Sequence, residues 1–186
     1  MKPALTCQLV ISGVGGQGVL FVTRLLAEAA IAKALPVCTS ETHGMAQRGG
    51  TVVSHLKVGP FASPLITPGR ADALMALKAE TLSQYSHFLS PTGWAAVNSP
   101  GPVSHPAVSD ICGVDADQLA TQAGSPKSVN LIVLGFFLAM ARKKQADHPF
   151  FCTVEDIQTI LENRPGNTSR MLASSLAALS AGATAA

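Results

Sequence analysis

From Thr6 to Ser12 the chain is apolar and partly β-branched, the pattern of a strand buried on both faces. Gly13 to Gly18 interrupts it. Val19 to Lys33 then carries apolar residues at helical spacing, with Leu20, Leu25, Leu26, Ala29 and Ala30 on one face and Arg24, Glu28 and Lys33 largely elsewhere. The pattern predicts a strand, a glycine turn and a helix. Pro36 closes the helical region, and Val37 to Ser40 is a short extended run that predicts a second strand. If the two strands share a sheet, the helix between them makes a right-handed crossover and sets them parallel.

Glu41 to Gly50 is polar and glycine-rich, the pattern of a loop, and Thr51 to Val58 reads as a strand before turn signals at Gly59, Pro60 and Pro64. A strand at Ala73 to Leu77, a short helix at Glu80 to Phe88, a turn at Ser90 to Gly93 and a strand at Trp94 to Asn98 follow. Asn98 to Pro106 predicts a loop, Ala107 to Cys112 an edge strand and Asp115 to Ala123 a helix. Asn130 to Lys144 is a strongly apolar helix whose last turn holds Arg142, Lys143 and Lys144, where they complement the dipole. Thr153 is placed to cap a helix from Val154 to Asn163, and Thr168 to Leu179 forms another. The alanine-rich end after Ser180 is expected to fray. Alternating strands and helices indicate an α/β sheet, and the length suits residues 1–186 as a single domain.

Composition narrows the partners. Hydrophobic residues make up 47% of the chain and charged residues 13%, which fits either a surface covered by a partner or an alanine-rich fold with a large core. A net charge of +2 without a basic stripe argues against nucleic acid. Leu131 to Ala141, the longest apolar run, is too short for a bilayer of roughly 30 Å, and Met1 to Thr6 shows no leader pattern. The expected location is the cytoplasm, away from membranes. Cys7, Cys38, Cys112 and Cys152 lie far apart without CxxC spacing, so they are expected to be buried thiols rather than cluster or metal ligands. His55, His87, His105 and His148 show no metal-ligand spacing either.

Two segments carry candidate chemistry. Gly13-Val14-Gly15-Gly16-Gln17-Gly18 fits GxGxxG between a strand and a helix, where free N–H groups attract an anion, or where the glycines merely let helix pack on strand. A nicotinamide site would need an acid at the end of the second strand, and Glu41 is the candidate, placed a little late. The second segment, Glu41-Thr42-His43-Gly44-Met45-Ala46-Gln47-Arg48-Gly49-Gly50, gathers a carboxylate, an imidazole, an amide and a guanidinium in one run. Arg48 offers a planar fork for a carboxylate, a phosphate or a partner, or else braces the loop against Glu41. His43 either moves a proton or is a satisfied structural group. His43 and Arg48 are therefore the catalytic candidates. Gly13, Gly15, Gly16, Gln17, Gly18, Glu41, Thr42, Gly44, Arg48, Gly49 and Gly50 are the candidate cofactor-binding positions, and no metal site is expected.

Taken together, GVGGQG at Gly13 to Gly18, SETHGMAQRGG at Ser40 to Gly50 and VVSH at Val52 to His55 resemble the small, or beta, subunit of indolepyruvate:ferredoxin oxidoreductases. The same domain is the gamma part of pyruvate and other 2-oxoacid:ferredoxin oxidoreductases. The likeness continues through Ser63-Pro64-Leu65-Ile66, Ala71-Asp72-Ala73-Leu74, Asn130 and Leu134-Gly135. It implies an open, mostly parallel Rossmann-like sheet flanked by helices. It also implies a subunit inactive alone, holding no cofactor itself, with thiamine diphosphate and iron–sulfur clusters on a large alpha subunit. Coenzyme A would be co-substrate, ferredoxin would take electrons through the complex, and a homodimer is possible. Pyruvate- and oxoglutarate-type chains tend to carry Gly-Pro-Glu before Arg-Gly-Gly, whereas this chain has His43-Gly44-Met45-Ala46-Gln47, which favours an aryl-pyruvate. The alternatives are a stand-alone Rossmann-type nucleotide-binding oxidoreductase and a non-catalytic assembly subunit.

Overall fold

A strand with consecutive apolar residues must be covered on both faces, and the middle of β1 (Cys7–Val14) is built that way, with Leu9, Val10 and Ile11 all buried. The computed structural model describes residues 5–43, 50–144 and 150–186. After β1 come α1 (Val19–Ala32), β2 (Val37–His43), β3 (Thr51–Val58), β4 (Ala71–Ala76) and α2 (Glu80–Tyr85). They are followed by β5 (Leu89–Asn98), β6 (Ile111–Val114), α3 (Ala116–Gln122), α4 (Val129–Lys144), α5 (Val154–Glu162) and α6 (Ser169–Thr184).

The six strands lie in the order β2-β3-β1-β4-β5-β6. The β1–β4, β4–β5 and β5–β6 pairs are parallel, and β3 runs antiparallel to both β1 and β2. β1 and β2 therefore point the same way, as the helical crossover predicts, yet β3 returns from β2 and inserts between them. The expected open, mostly parallel α/β sheet is present, with one reversed strand.

The two faces of the sheet are covered unequally. Leu9, Ile11, Leu56, Met75 and Trp94 share a core with buried residues of α1, α3, α4, α5 and α6. Val10, Val53, Leu74, Ala95 and Val97 share the other with Leu82 of α2 and with Ile66 and Val108 from connecting segments. Loops do most of the covering on that side.

Several expectations are corrected. Glu41 to His43, expected in a loop, complete β2, because Glu41 faces Ser54 and His43 faces Val52 in an unbroken ladder with β3. Ser90 to Gly93, expected as a turn, belongs to β5, whose pairing with β4 shifts register between Ala71 and Ala73 to absorb these residues. The edge strand starts at Ile111 rather than Ala107, and the helix at Glu80 ends at Tyr85 before a 3₁₀ turn, Ser86–Phe88. Cys7 and Cys152 are buried, but Cys38 and Cys112 are only half-buried. The end of the chain is helical to Thr184 instead of fraying after Ser180. There Gly182 packs so closely on α4 that an added Cβ would meet the Ile132 carbonyl, and Ala178 and Leu179 are buried beneath it.

Local sequence fixes the helix ends. Thr153 and Asp156 form a capping box for α5: Thr153 Oγ1 accepts from the Asp156 N–H at 3.3 Å, and Asp156 Oδ2 accepts from the Thr153 N–H at 2.7 Å. α1 ends in a Schellman turn, in which Leu35 N–H donates to Ala30 O and Ala34 N–H to Ile31 O. Ala34 stands there at φ 55°, a left-handed position that usually falls to glycine.

Candidate ligand-binding site at the carboxyl ends of the strands

In an open α/β sheet ligands bind beyond the carboxyl ends of the strands, at the crevice where the strand order reverses. Here the chain leaves β1 towards β2 on one side and places β4, β5 and β6 on the other, so the crevice lies at the ends of β1 and β4. Gly13 to Gly18 occupies that place.

The loop is held from within. The Gln17 side chain turns back, its Oε1 accepting from the Val14 N–H at 2.9 Å and its Nε2 donating to the Leu77 carbonyl, just beyond β4, at 3.3 Å. Both ends of this amide are used inside the turn, which makes Gln17 a positioning residue. A Cβ at Gly13 would press on Gln17, Val19 and Leu77, so the tight turn needs glycine there. Gly16 and Gly18 have φ of 94° and 83°, and Gly15 and Gly16 are exposed. Gly18 is the N-cap of α1, where no side chain caps the helix and no acid sits in the first turn. The first helical hydrogen bond is from Val22 N–H to Gly18 O, at 3.1 Å, which leaves the N–H groups of Val19, Leu20 and Phe21 without an intrahelical acceptor. The positive end of the helix dipole is thus not neutralised by its own first turn.

The two candidate segments meet. Gly15 N–H donates to the Gly50 carbonyl at 3.0 Å, so the end of the second motif is fastened to the glycine loop. Thr51, the next residue, pairs with Val14 across the β1–β3 ladder and accepts from the Tyr85 hydroxyl at 3.1 Å. Gly44, Arg48 and Gly49 lie outside the described residues, as does the His43 side chain, although the His43 backbone ends β2. Glu41 and Thr42 are exposed on β2. Because β3 separates β2 from β1, Glu41 stands two strand spacings away, roughly 10 Å, from the strand that carries the glycine loop. A ribose-binding acid is required on the neighbouring strand. The inserted strand takes Glu41 out of that position.

Other residues at this end were not marked as site residues by the sequence. Asn130, at the start of α4, lies so close to Gly18 that a Cβ there would collide with its side-chain amide. Asn98 donates to Leu77 O and to Asp117 Oδ2 and accepts from the Ala116 N–H, and the Ser12 and Thr81 hydroxyls share a buried hydrogen bond of 2.8 Å. These groups tie the ends of β1, β4 and β5 together around Leu77. No local spacing signals them, since each contact joins segments distant in sequence. A concavity of about 480 Å³ lies beside β5 and β6, lined by Ser99, Gly101, Ile111, Gly113 and Asp115 among others, without a cationic side chain.

His55, the end of VVSH, is a core residue. Its Nδ1 accepts from the Ile66 N–H at 3.4 Å and its ring meets Phe88 edge-on. Burial, with the Lys57 ammonium, holds its pKa below the ordinary imidazole value. Among the described residues, no group of three or more His, Cys, Asp and Glu is arranged to hold a metal ion. Burial raises the Cys152 thiol to about 12 and pushes Cys7 up further, so neither offers a ready thiolate.

A profile of the pyruvate ferredoxin/flavodoxin oxidoreductase family matches residues 8–185. This chain belongs to that family. "Indolepyruvate oxidoreductase subunit IorB" of Archaeoglobus fulgidus is 35% identical, over 68% of this chain and 73% of the relative. "Ketoisovalerate oxidoreductase subunit VorA" of Methanothermobacter thermautotrophicus is 31% identical over 70% of this chain but only 27% of its own length. Pyruvate oxidoreductase subunit PORC of Thermotoga maritima superposes with a TM-score of 0.76 over 97% of this chain and 96% of the other, at 21% identity. A 2-oxoglutarate:ferredoxin oxidoreductase chain from Magnetococcus marinus, whose structure has 2-oxoglutarate, coenzyme A and succinyl-CoA bound, gives 0.76 at 19% identity over 31% of its length. The same fold therefore occurs as a separate subunit and as part of a longer chain. As a small-subunit member of this oxidoreductase family, the chain is similar to proteins that act inside multi-subunit enzymes, which implies a larger partner.

Proposed function

We propose that this chain completes an oxidoreductase acting on an aryl-pyruvate, indolepyruvate foremost, and that the glycine loop with the segment ending at Gly50 forms one wall of the site where coenzyme A is used. The observation that carries this reading is the hydrogen bond from Gly15 to Gly50, which fastens the end of the second motif to the first although the two are far apart in sequence. Its position at the carboxyl ends of the strands supports it. So do the IorB relatives, named for indolepyruvate, and His43 to Gln47 in place of Gly-Pro-Glu.

The residues present suit an anionic group. Gly15 and Gly16 expose backbone, and the N–H groups of Val19, Leu20 and Phe21 would face a phosphate of coenzyme A without any side-chain charge. Gln17 holds the turn against β4 so that these donors are in place before the ligand arrives. Arg48 would supply a guanidinium fork for a phosphate, a carboxylate or the partner's backbone, and His43 a proton donor or acceptor. Glu41, Thr42, Gly44 and Gly49 would complete the binding positions. Coenzyme A supplies the thiol that takes up the acyl group. Thiamine diphosphate and iron–sulfur clusters would belong on the large subunit, a division supported by the scattered positions of Cys7, Cys38, Cys112 and Cys152 along the chain. Electrons would pass to ferredoxin through that subunit. Residues 1–186 act as one domain of a cytoplasmic complex.

The stand-alone nucleotide-binding reading is disfavoured by β3, which displaces Glu41 from the neighbouring strand. The test is co-expression with the large subunit. Indolepyruvate- and coenzyme A-dependent dye reduction is expected from the assembled enzyme and from neither subunit alone, and calorimetry of this chain with NAD(H) is expected to show no binding. Micromolar NAD(H) affinity would overturn the proposal. An assembly-only role predicts instead that loop substitutions weaken complex formation while turnover per complex stays constant.

A further inference from the structure

The two edges of the sheet differ. β6 has four residues, and Asp110, just before it, is paired with Lys144 of α4 through both carboxylate oxygens, at 2.6 and 2.7 Å. A short strand with a fixed charge pair at its end is a protected edge. β2 has seven residues, Val-Cys-Thr-Ser-Glu-Thr-His, with no proline and no lysine. Its ladder with β3 runs from Val37↔Val58 to His43↔Val52 without a bulge, and Glu41 is the only acid on the strand. Among the described residues, no segment pairs with its outer edge. Thr39, Glu41 and Thr42 are exposed there, and the exposed Ile31 lies on the helix that leads into the strand.

The sequence of β2 is complementary to itself in one antiparallel register. A two-fold axis at Ser40 sets Ser40 opposite Ser40, Thr39 opposite Glu41, Cys38 opposite Thr42 and Val37 opposite His43, using all seven residues. Glu41, the only carboxylate of the strand, then faces a hydroxyl. A register centred on Glu41 would oppose the two carboxylates, and one centred on Thr39 would set Val37 against Glu41. Like charges directly across a ladder are destabilising, and a carboxylate against an aliphatic side chain gains nothing. An isologous contact is also the commonest symmetry of a homo-oligomer.

We infer that the outer edge of β2 pairs with β2 of a second copy of this chain, in antiparallel register about Ser40, joining two six-stranded sheets into one. This pairing does not rest on the catalytic reading above, although Glu41 and Thr42 enter both. It makes the small subunit a two-fold centre that presents two Gly50 segments, one from each copy.

The experiment is sedimentation velocity on the purified full chain over a range of concentrations, with charge variants at the pair the register predicts. Wild type is expected to dimerise. Thr39→Glu, which places two carboxylates opposite each other at both symmetric positions, is expected to raise the dimer dissociation constant on the order of tenfold, and Thr39→Lys to lower it. Thr39→Glu combined with Glu41→Lys is expected to restore the dimer. Both side chains are exposed, and thermal melts of every variant establish that each is folded. A monomeric wild type overturns the inference, as do variants that dimerise equally. A large subunit that displaces the second copy, so that Thr39→Glu weakens only the complex between the two subunits, would assign the edge to that partner and equally overturn it.

Discussion

Gly135 and Gly182 lie where α4 crosses α6, the most extensive helix–helix contact among the described residues, while Gly16 and Gly18 lie in the loop before α1. A Cβ on Gly135 would meet the Leu179 carbonyl, and one on Gly182 the Ile132 carbonyl. Backbone cannot rotate aside as a side chain can. In the loop the requirement is different: Gly16 has open space around an added Cβ, but its φ of 94° is one that side-chain-bearing residues rarely adopt. Gly135 and Gly182 are glycine because of what lies nearby and Gly16 because of how its own backbone turns, while Gly18 answers to both, with a φ of 83° and the Asn130 amide against it. The first pair holds the helices on the heavily covered face. The second shapes the turn that leads into α1, with Gly16 exposed.

Valine at Gly182 or Gly135 should give the largest effect, a destabilisation on the order of 3 kcal/mol, because the clash is with main chain. Urea unfolding of the isolated chain measures it. A variant as stable as wild type would mean that α4 and α6 are not in close contact.

Next come the loop substitutions. Alanine at Gly16 should cost about 1–2 kcal/mol from the left-handed backbone alone. Gly18→Ala should cost more, because it also displaces Asn130. In an Asn130→Ala background that excess should vanish and the two glycine substitutions become equal, as expected when neighbouring residues share one contact. Additive effects in this double-mutant cycle would show that Asn130 does not lie over Gly18.

The smallest effect runs the other way. Ala34, at φ 55° in the turn that ends α1, occupies a position of the loop kind without a glycine. Ala34→Gly is expected to stabilise the chain by up to about 1 kcal/mol, since relief of left-handed strain exceeds the entropy lost by freeing the unfolded backbone. A lower melting temperature for this variant would contradict the comparison between steric and conformational glycines.

The same contrast explains what could be read from the sequence. The glycine loop was legible because strand, GxGxxG and helix are contiguous, and β1, α1, β3 and the helices at Thr153 and Asn130 follow local periodicity and caps. Gly182 was not, since a run of alanines with a glycine has the composition of a frayed end, and only the Ile132 carbonyl across the helix crossing gives it a reason to be ordered. Glu41 to His43 look like loop because they are polar, yet an exposed edge strand has little apolar sequence to show. The position of β3 between β1 and β2 has no local signature at all, and it is this placement that separates Glu41 from the glycine loop. Of the candidate site, the link from Gly15 to Gly50 emerges only in three dimensions, as does the packing of Asn130 on Gly18.

Arg48→Ala separates service to the reaction from service to the fold for the two motifs joined through Gly15 and Gly50. In the reconstituted two-subunit enzyme, indolepyruvate-dependent dye reduction is measured against coenzyme A concentration, alongside the melting temperature of the isolated chain. An arginine whose partner is coenzyme A or the large subunit should lose turnover or assembly several-fold or more. One that only braces its own loop should matter by about 1 kcal/mol or less, in stability alone. The expected result is a marked loss of coenzyme A-dependent activity or complex affinity in a chain that melts like wild type. Intact activity with an earlier melt would make Arg48 structural and contradict the account.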